Sequence, residues 1–206
     1  MAGRSRITRE AILAAAKGIV AEQGAAALTF QALASALGVS KQAIIYWFAN
    51  KWELALELSV AGLKSEAEAT TSAIAQARTG PEAIERFVRA LVGHHLEDLA
   101  GFRMLYLAPQ FERRANLPEG AEAFLRPIHE TTSAMYAALE ARISADPGFR
   151  PSESPRQLAV AVHAAGIGLL TMIALGDSVN DPLAHRTSAL IDSLVSLLTG
   201  PTPAAQ

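Results

Sequence analysis

The feature that most constrains the fold is the stretch over residues 29–51, because two short helical patterns are joined there by a tight turn. Thr29 can cap the first helix by accepting hydrogen bonds from N–H groups that have no partner within it. Apolar residues then recur at helical spacing until Gly38, and glycine adopts the left-handed conformation that ends a helix at little steric cost. Ser40 can cap a second helix over residues 41–48. The stretch therefore predicts a helix-turn-helix.

The second segment of this stretch also has the composition of a strand. Residues 43–48 are rich in β-branched and aromatic side chains, and a short apolar run cannot be assigned by its periodicity alone. The neighbouring residues favour a helix. Ser40 is a cap in front of the segment, and behind it Asn50 and Glu53 form an N-x-x-E variant of the capping box, which predicts a further helix beginning at Asn50.

Charge is distributed unevenly along the chain. The formal net charge of −2 does not by itself favour a nucleic-acid partner. Residues 1–51, however, contain six basic and two acidic side chains, a net charge of +4, so the remainder carries −6. A basic end on an acidic remainder is the distribution expected of a protein that contacts phosphates with one end. Residues 1–7 form a basic arm, for which a solvated terminus and a contact with DNA are both open.

A set of residues in this N-terminal part matches a known family pattern: Arg9, Ile12, Ala16, Gly24, Thr29, Ala34, Gly38, Val39, Ser40, Lys41, Tyr46, Phe48, Lys51 and Leu54. With them, the first quarter of the chain resembles the DNA-binding domain of the TetR family of transcriptional regulators. Gln42 departs from the pattern, which often has glycine there, and residues 45–47 replace Leu-Tyr followed by His or Tyr. The resemblance implies an all-α fold, with a three-helix DNA-binding domain followed by a helical ligand-binding and dimerisation domain.

The second helix of the motif is the predicted recognition helix, whose N-terminal residues face base edges in the major groove. Gln42 can pair with adenine through two hydrogen bonds, Lys41 can reach guanine or a phosphate, and Ala43 can contact a thymine methyl group. The resemblance implies phosphate contacts at five further positions: Thr29, Ser40, Tyr46, Trp47 and Lys51. At the last of these, a helix N-terminus would add backbone donors and a favourable dipole. For the two aromatic residues, packing against the domain core is the alternative.

Helical patterns separated by Gly and Pro continue beyond the motif. The helix that begins at Asn50 meets no breaker before Gly80-Pro81 and runs towards Ala77, so it is the predicted mechanical link to the rest of the chain. Further segments are predicted as helices from Pro81 to Leu96, from Ile128 to Ile143 after Pro118 and Pro127, and from Pro182 to Leu198, with a loop over 147–155. Gly101 and Pro109 bracket a further apolar run over 102–107. The predicted domains are 1–51 (DNA-binding), 52–200 (ligand-binding and dimerisation) and 201–206 (a flexible tail).

Residues 158–175 carry no formal charge and are long enough to span a membrane. The run is rich in Ala and Gly, contains His163 and has no second span beside it, so a buried helix is preferred and no membrane partner is predicted. With the final helix it would form a four-helix bundle joining two copies, as in dimers similar to this family. The predicted dimer contacts are Leu158, Val162, Ala165, Leu169, Leu190, Leu194 and Leu197. Gly166 and Gly168 are expected to allow close helix contact.

An apolar pocket between the helices of the second domain is the predicted effector site. The residues expected to line it combine bulk with a few polar tips, although a core position is the alternative for each: Phe102, Met104, Tyr106, Phe111, Met135, Tyr136, His163 and Met172. The five histidines lack metal-ligand spacing, and neither a Gly-rich phosphate loop after a strand nor G-x-S-x-G occurs, so no enzyme, metal site or cofactor is predicted.

The chain has no cysteine and no basic-then-apolar leader, which favours the cytoplasm and excludes disulfides. Together these patterns predict a homodimeric regulator, most often a repressor in proteins of this kind, that binds a near-palindromic double-stranded operator and is released by a largely apolar small molecule. The alternative is a helical small-molecule-binding protein or enzyme that no longer binds DNA.

Overall fold

The computed structural model describes residues 7–107, 121–181 and 185–200, and the regular elements within these ranges are all helices. The predicted all-α fold is therefore confirmed over the described part. The helices are α1 (Arg9–Gln23), a 3-10 turn (Ala25–Ala27), α2 (Phe30–Leu37), α3 (Lys41–Trp47), α4 (Lys51–Ile74), α5 (Gly80–Leu96), α6 (Leu99–Phe102) with a π-helical turn (Arg103–Leu107), α7 (Ala121–Ser144), α8 (Pro155–Ser178) and α9 (Thr187–Thr199).

The chain divides into two compact units. The head unit comprises Met1–Gly62 and Ala100–Phe124, and the body unit comprises Leu63–Leu99 and Leu125–Gln206. The division falls inside α4, so this helix contributes its first half to one unit and its second half to the other. The sequence places the boundary earlier, at the start of this helix.

Side-chain caps fix the starts of the three N-terminal helices. The hydroxyls of Thr8, Thr29 and Ser40 each accept a hydrogen bond from the backbone N–H three residues further on, at 3.0–3.2 Å. Between α2 and α3, Gly38 lies in the left-handed region with φ 65° and ψ 32°, and its N–H donates back into α2. These local contacts form the predicted helix-turn-helix, with residues 43–47 helical rather than extended.

The start of α4 carries a displaced form of the predicted capping box. Asn50 Oδ1 accepts a hydrogen bond from the Glu53 N–H at 2.8 Å, as the N-x-x-E pattern predicts. The Glu53 carboxylate returns to the N–H of Ala49 at 3.0 Å, one residue before the expected position. Both ends of the α3–α4 connection are therefore tied by side chains, which gives this short connection a defined geometry.

The core of the head unit is built from one face of each of its first four helices. Its most deeply buried side chains are aliphatic or aromatic and pack against one another. They are Ile12, Ala16, Leu33, Ala34, Ile44, Phe48, Leu54 and Leu58. Burial of a Leu, Ile or Phe side chain contributes about 1.5–3 kcal/mol each. The recognition helix is thus held by its inner face, so its outer face is free to meet a partner.

In the body unit, α5 packs against α8 and α9, and α8 packs against α9. One face of α8 is buried by these neighbours, with Ala159, His163 and Leu170 among its residues, while Met172 and Leu175 lie exposed on another face. Among the described helices, α8 is the one long and apolar enough to cross a membrane by length and composition. One face of this helix packs inside the unit, and 39% of its apolar window is buried there.

Three boundaries differ from the sequence prediction. Pro127 lies inside α7 instead of preceding a helix, although it lacks an N–H to donate within it. The final helix begins at Thr187 and not at Pro182, which lies outside the described residues; its N-cap residue Arg186 makes no side-chain cap hydrogen bond. The predicted loop over 147–155 is confirmed up to Ser154, which starts α8 with a complete capping box.

Gly166 lies at a close approach of α8 to α5. A Cβ atom at this position would lie 2.5 Å from Cδ2 of Leu91, and Leu91 is fully buried, so its side chain has no solvent to move into. The predicted close helix contact is therefore confirmed for Gly166. Gly168 makes no such close approach within the described residues, because a Cβ there would meet none of their atoms within 4 Å.

We expect Gly166→Ala to lower the free energy of unfolding by about 1 kcal/mol, since overpacking costs about 1–3 kcal/mol and the gain in helix propensity returns about 0.5–1 kcal/mol. The matched control is Gly93→Ala on α5, where a Cβ meets nothing within 4 Å. That change should stabilise the protein by about 0.5–1 kcal/mol. Urea titrations of both variants measure the difference, and the same sign for both would contradict the close approach.

Candidate nucleic-acid interface

The recognition helix α3 has a buried face and an exposed face. Ile44 is fully buried in the head core, whereas Lys41 and Gln42 in the first turn are exposed. Ala43 is half-buried between them, and Tyr46 projects outward with 83% of its surface exposed. The exposed face thus presents a cation, an amide and a phenol, which are groups that can hydrogen-bond to base edges or phosphate oxygens.

The hydroxyls of Thr29 and Ser40 lie at the starts of α2 and α3, on exposed residues. Each oxygen accepts a hydrogen bond from a backbone N–H, at 3.0 Å for Thr29 and 3.2 Å for Ser40. Because a hydroxyl can donate one hydrogen bond while it accepts, capping leaves the proton available for a phosphate oxygen. Capping and phosphate contact are therefore compatible roles for both side chains.

The two aromatic residues at the end of α3 differ in their surroundings. Trp47 is half-buried and packs against the head core, and its ring meets that of Tyr46 edge-on, with centroids 5.6 Å apart. Trp47 therefore packs against the core with part of its ring exposed, whereas Tyr46 lies on the surface, and the phosphate contact stays a prediction for both.

Lys51 is exposed at the first position of α4. The N-terminus of this helix already interacts with Asn50 and Glu53, and the Glu53 carboxylate adds a negative charge in its first turn. Side chains of the protein itself therefore compensate part of the helix dipole that was expected to attract a phosphate. The Lys51 ammonium then attracts a phosphate more strongly than the helix N-terminus does.

Arg9 of α1 contributes to the basic segment in sequence but is neutralised in space. Its guanidinium contacts the carboxylates of Glu57 at 2.5–3.0 Å and Glu53 at 3.4 Å, both on α4. The hydrogen bond to Glu57 is the main reason that the pKa of Arg9 is raised above its ordinary value. Both carboxylates lie just beyond residue 51, so a charge count over residues 1–51 misses them.

The residues predicted to line an effector pocket are divided between the two units. In the head unit, Phe102 is fully buried with its ring 5.3 Å from that of Tyr106, and Met104 packs against the head core. In the body unit, Met135 is buried, whereas Met172 is 66% exposed. Phe111 lies outside the described residues.

Tyr136 and His163 are brought together in the body unit, in what we term the buried polar cluster: Glu66, His95, Tyr136 and His163. His95 Nε2 lies 2.7 Å from one oxygen of Glu66, and His163 Nε2 lies 3.0 Å from the other. Tyr136 Oη lies 2.8 Å from His163 Nδ1. Glu66 is fully buried, so α4, α5, α7 and α8 meet at a carboxylate that has no contact with solvent.

The hydrogen-bond directions in the buried polar cluster follow from the carboxylate, which can only accept. The Nε2 atoms of His95 and His163 therefore donate to Glu66, and Nδ1 of a neutral His163 is left to accept. Burial, with the negative charge of Glu66, raises the pKa of Tyr136 above its ordinary value, so the phenol keeps its proton and donates to His163 Nδ1. The carboxylate accepts from two imidazoles, which compensates much of the cost of burying its charge.

Glu66 and His95 were not predicted as site residues, although the sequence contains a signal for each. On α4, Leu63, Glu66, Thr70 and Ile74 recur at helical spacing and are all buried. A polar residue within an apolar stripe indicates a buried partner. His95 similarly extends the buried face of α5.

A groove of about 420 Å³ lies between α5 and α9 in the body unit. Its lining includes Glu82, Glu85, Arg89 and Asp192, and Arg89 bonds to Glu85 at 2.9 Å and to Asp192 at 2.7 Å. This charged lining does not correspond to the predicted apolar pocket. No group of three or more acidic or histidine side chains over the described ranges is arranged to hold a metal ion.

The predicted dimer residues lie at different depths. Val162 is fully buried and Leu158 is 9% exposed within the chain itself, so both belong to the core and the prediction of a partner contact is wrong for them. Leu197 of α9 is 82% exposed, and the others are half-buried: Ala165, Leu169, Leu190 and Leu194. We define the α8–α9 apolar face by the large exposed side chains Val160, Met172, Leu175, Val179 and Leu197.

These features define a helix-turn-helix DNA-binding head joined through a continuous helix to a helical body. Residues 12–58 match the family model described as bacterial regulatory proteins, tetR family. Residues 12–58 therefore carry the DNA-binding domain of the TetR family, and the resemblance predicted for the first quarter of the chain is confirmed.

Solved structures extend the likeness over the whole fold. A TetR family transcriptional regulator, PfmR from Thermus thermophilus, is 22% identical with a TM-score of 0.66, and the match covers 97% of this chain and 99% of that one. FadR from Bacillus subtilis, in complex with stearoyl-CoA, is 17% identical with a TM-score of 0.70, covering 93% and 98%. A tetR family protein from Rhodococcus is 20% identical with a TM-score of 0.66, covering 94% and 96%. No curated protein sequence matches the chain.

Proposed function

We propose that the protein is a ligand-responsive transcriptional repressor of the cytoplasm. It binds a near-palindromic operator as a homodimer and dissociates from it when a largely apolar small molecule binds the body. The observation that carries this proposal is the exposed face of α3, where Lys41, Gln42 and Tyr46 stand outward on a helix that is capped and packed from behind.

The dimer is supported by the α8–α9 apolar face. Met172 and Leu197 are 66% and 82% exposed on neighbouring helices, and a large apolar surface of this kind is typical of a protein interface. A symmetric dimer presents two recognition helices, which requires two half-sites related by the same symmetry.

The effector is proposed from the solved relative that holds a ligand. The Bacillus subtilis FadR structure contains stearoyl-CoA, which has a long apolar chain. At 17% identity this likeness concerns the fold, so the chemistry of the effector is taken only as far as a largely apolar molecule. Stearoyl-CoA is accordingly the first compound to test for release of bound DNA.

The alternative function is a helical small-molecule-binding protein whose head does not bind DNA. Selection of duplexes from a random pool by the full-length protein separates the two. The proposed repressor enriches a near-palindromic sequence, binds it saturably in an electrophoretic shift assay and protects two half-sites. A pool without enrichment, together with absence of binding at low ionic strength, would support the alternative.

Two substitutions in the head are expected to have different effects on DNA binding. Gln42→Ala should change the selected sequence, since the amide at the start of α3 is proposed to read a base, at about 1–3 kcal/mol per bidentate pair. Lys51→Ala should weaken binding to all duplexes similarly and reduce the slope of log K against log salt by about 0.9 for each head, or about 1.8 for the dimer. Repeated selection and salt titrations measure these effects.

The matched control for the lysine is Lys64→Ala, which removes an exposed ammonium from the body half of the same helix. Its salt slope should equal that of the wild-type protein. If Gln42→Ala selects the wild-type site, the base-reading role of Gln42 is wrong, and if Lys64→Ala lowers the slope as much as Lys51→Ala does, the effect is not a local phosphate contact.

A further inference from the structure

Arg9 lies where three helices of the head unit converge. From α1, its Nη1 donates a hydrogen bond to the backbone carbonyl of Trp47 at 2.9 Å, at the end of α3. Its Nε and Nη2 donate to both oxygens of Glu57 at 2.5–3.0 Å, in the first half of α4. One planar cation therefore connects the end of the recognition helix to the helix that follows it.

Two further groups contact this guanidinium, whose side chain is 35% exposed. Its central carbon lies 4.4 Å from the centroid of the Phe48 ring, so the ring covers one side. The Glu53 carboxylate lies 3.4 Å from Nη2, and it also accepts the N–H of Ala49 between α3 and α4. A guanidinium held on its edges by two carboxylates and a carbonyl is poorly placed to neutralise a DNA phosphate.

We infer that Arg9 is a positioning residue for DNA recognition: it fixes the direction of α3 relative to the start of α4 and makes no phosphate contact itself. The inference rests on the proposed DNA-binding function. The carbonyl of Trp47 belongs to the last turn of α3, where carbonyls lack partners within the helix and a cation is electrostatically favourable. Glu57 is the anchor on the other side, and the geometry of both bonds at once is available only to a planar fork.

Substitution of Arg9 by lysine distinguishes a positioning role from a contribution of charge alone. Arg9→Lys keeps the positive charge, but a single ammonium on a flexible stem cannot reproduce the bonds from Nε, Nη1 and Nη2 in their fixed plane. A phosphate contact would survive this change, because lysine binds phosphate as a point charge. A positioning role would not survive it.

For Glu57→Gln, a purely electrostatic effect and a positioning effect predict opposite changes in DNA affinity. The change removes a negative charge from a DNA-binding unit, so electrostatics alone predicts tighter binding to DNA. Loss of the ionic anchor of Arg9 predicts weaker binding to the specific site. The matched control is Glu22→Gln, which removes an exposed carboxylate at the end of α1 and leaves the Arg9 contacts in place.

The experiment uses the full-length protein and the duplex enriched by the wild-type protein, with a scrambled duplex as the non-specific probe. We expect Arg9→Lys and Glu57→Gln each to weaken specific binding on the order of tenfold, while scrambled-duplex binding at low salt stays unchanged for Arg9→Lys. The double variant should be no weaker than the weaker single variant, since both changes break one connection. Glu22→Gln should bind the specific duplex at least as well as the wild type.

Thermal unfolding by circular dichroism confirms that each variant is folded at the assay temperature. Wild-type specificity in Arg9→Lys, or tighter specific binding by Glu57→Gln, overturns the inference, and so does additivity of the two losses. Loss of the fold in both variants also overturns it, because Arg9 would then be a stability residue only. If the wild-type protein enriches no duplex, the proposed DNA-binding function fails, which is a separate result.

Discussion

Replacing Glu66 by alanine is expected to lower the free energy of unfolding by about 2–6 kcal/mol, because two buried imidazoles each lose a hydrogen-bond acceptor, at about 1–3 kcal/mol for each. In the wild-type protein, the carboxylate accepts hydrogen bonds from His95 at 2.7 Å and His163 at 3.0 Å. In the variant, both imidazoles remain buried without this acceptor. Urea unfolding followed by circular dichroism, at one fixed protein concentration, measures the loss.

The control for this prediction is Glu68→Ala, two residues further along α4 on its exposed side. A surface change of this kind should stay within about 0.5 kcal/mol. Glu66→Gln should fall between the two, because its amide retains one accepting oxygen but presents an N–H group towards a second donor. Equal stability of the Glu66→Ala and Glu68→Ala variants would show that the buried polar cluster does not hold the body together.

Features fixed by neighbouring residues could be predicted from the sequence. The caps at Thr29 and Ser40 act over three residues, and the left-handed Gly38 ends α2 through its own backbone. Even the strand-like composition of residues 43–48 was outweighed by the capping residues on either side. The interactions that form the N-terminal motif are therefore almost all between residues close in sequence. For this reason its fold and its exposed face could be predicted from about twenty consecutive residues.

The contacts of Arg9 and those of the buried polar cluster join residues that are far apart in the sequence. Arg9 and Glu57 are 48 residues apart, Glu66 and His95 are 29 apart, and Glu66 and His163 are 97 apart. Periodicity marks such residues as polar positions within an apolar stripe but does not say which stripe faces which. A buried partner could be anticipated for Glu66 from the sequence, whereas its identity required the packing of the helices.

The same limit explains the error in the predicted dimer stripe. α8 has apolar residues around most of its circumference, so spacing alone offers more than one stripe. The sequence predicts that the stripe through Leu158 and Val162 faces the partner, yet these side chains pack inside the chain. The exposed stripe, with Met172 and Leu175, lies on another face of the helix. Burial within the chain, and not hydrophobicity, distinguishes the two faces.

Met172→Glu is therefore expected to weaken the proposed dimer by at least about 100-fold in its dissociation constant. A symmetric interface contains the change twice, and desolvating an unpaired carboxylate costs several kcal/mol. Met172 is 66% exposed within the chain, so the fold of the single chain should be retained. Sedimentation velocity over a range of concentrations measures the equilibrium. Binding to a two-half-site duplex should fall with it, because one head alone has one half-site to bind.

Ala137→Glu on α7 is the matched control, since it adds the same charge at an exposed position outside the α8–α9 apolar face. This variant should sediment as the wild-type protein does and bind the same duplex. If Met172→Glu remains dimeric at concentrations where the wild-type protein is dimeric, the interface lies elsewhere on the molecule. If the wild-type protein is monomeric throughout, the exposed apolar side chains of α8 and α9 need another partner, and the proposed two-headed recognition of a palindrome fails with the dimer.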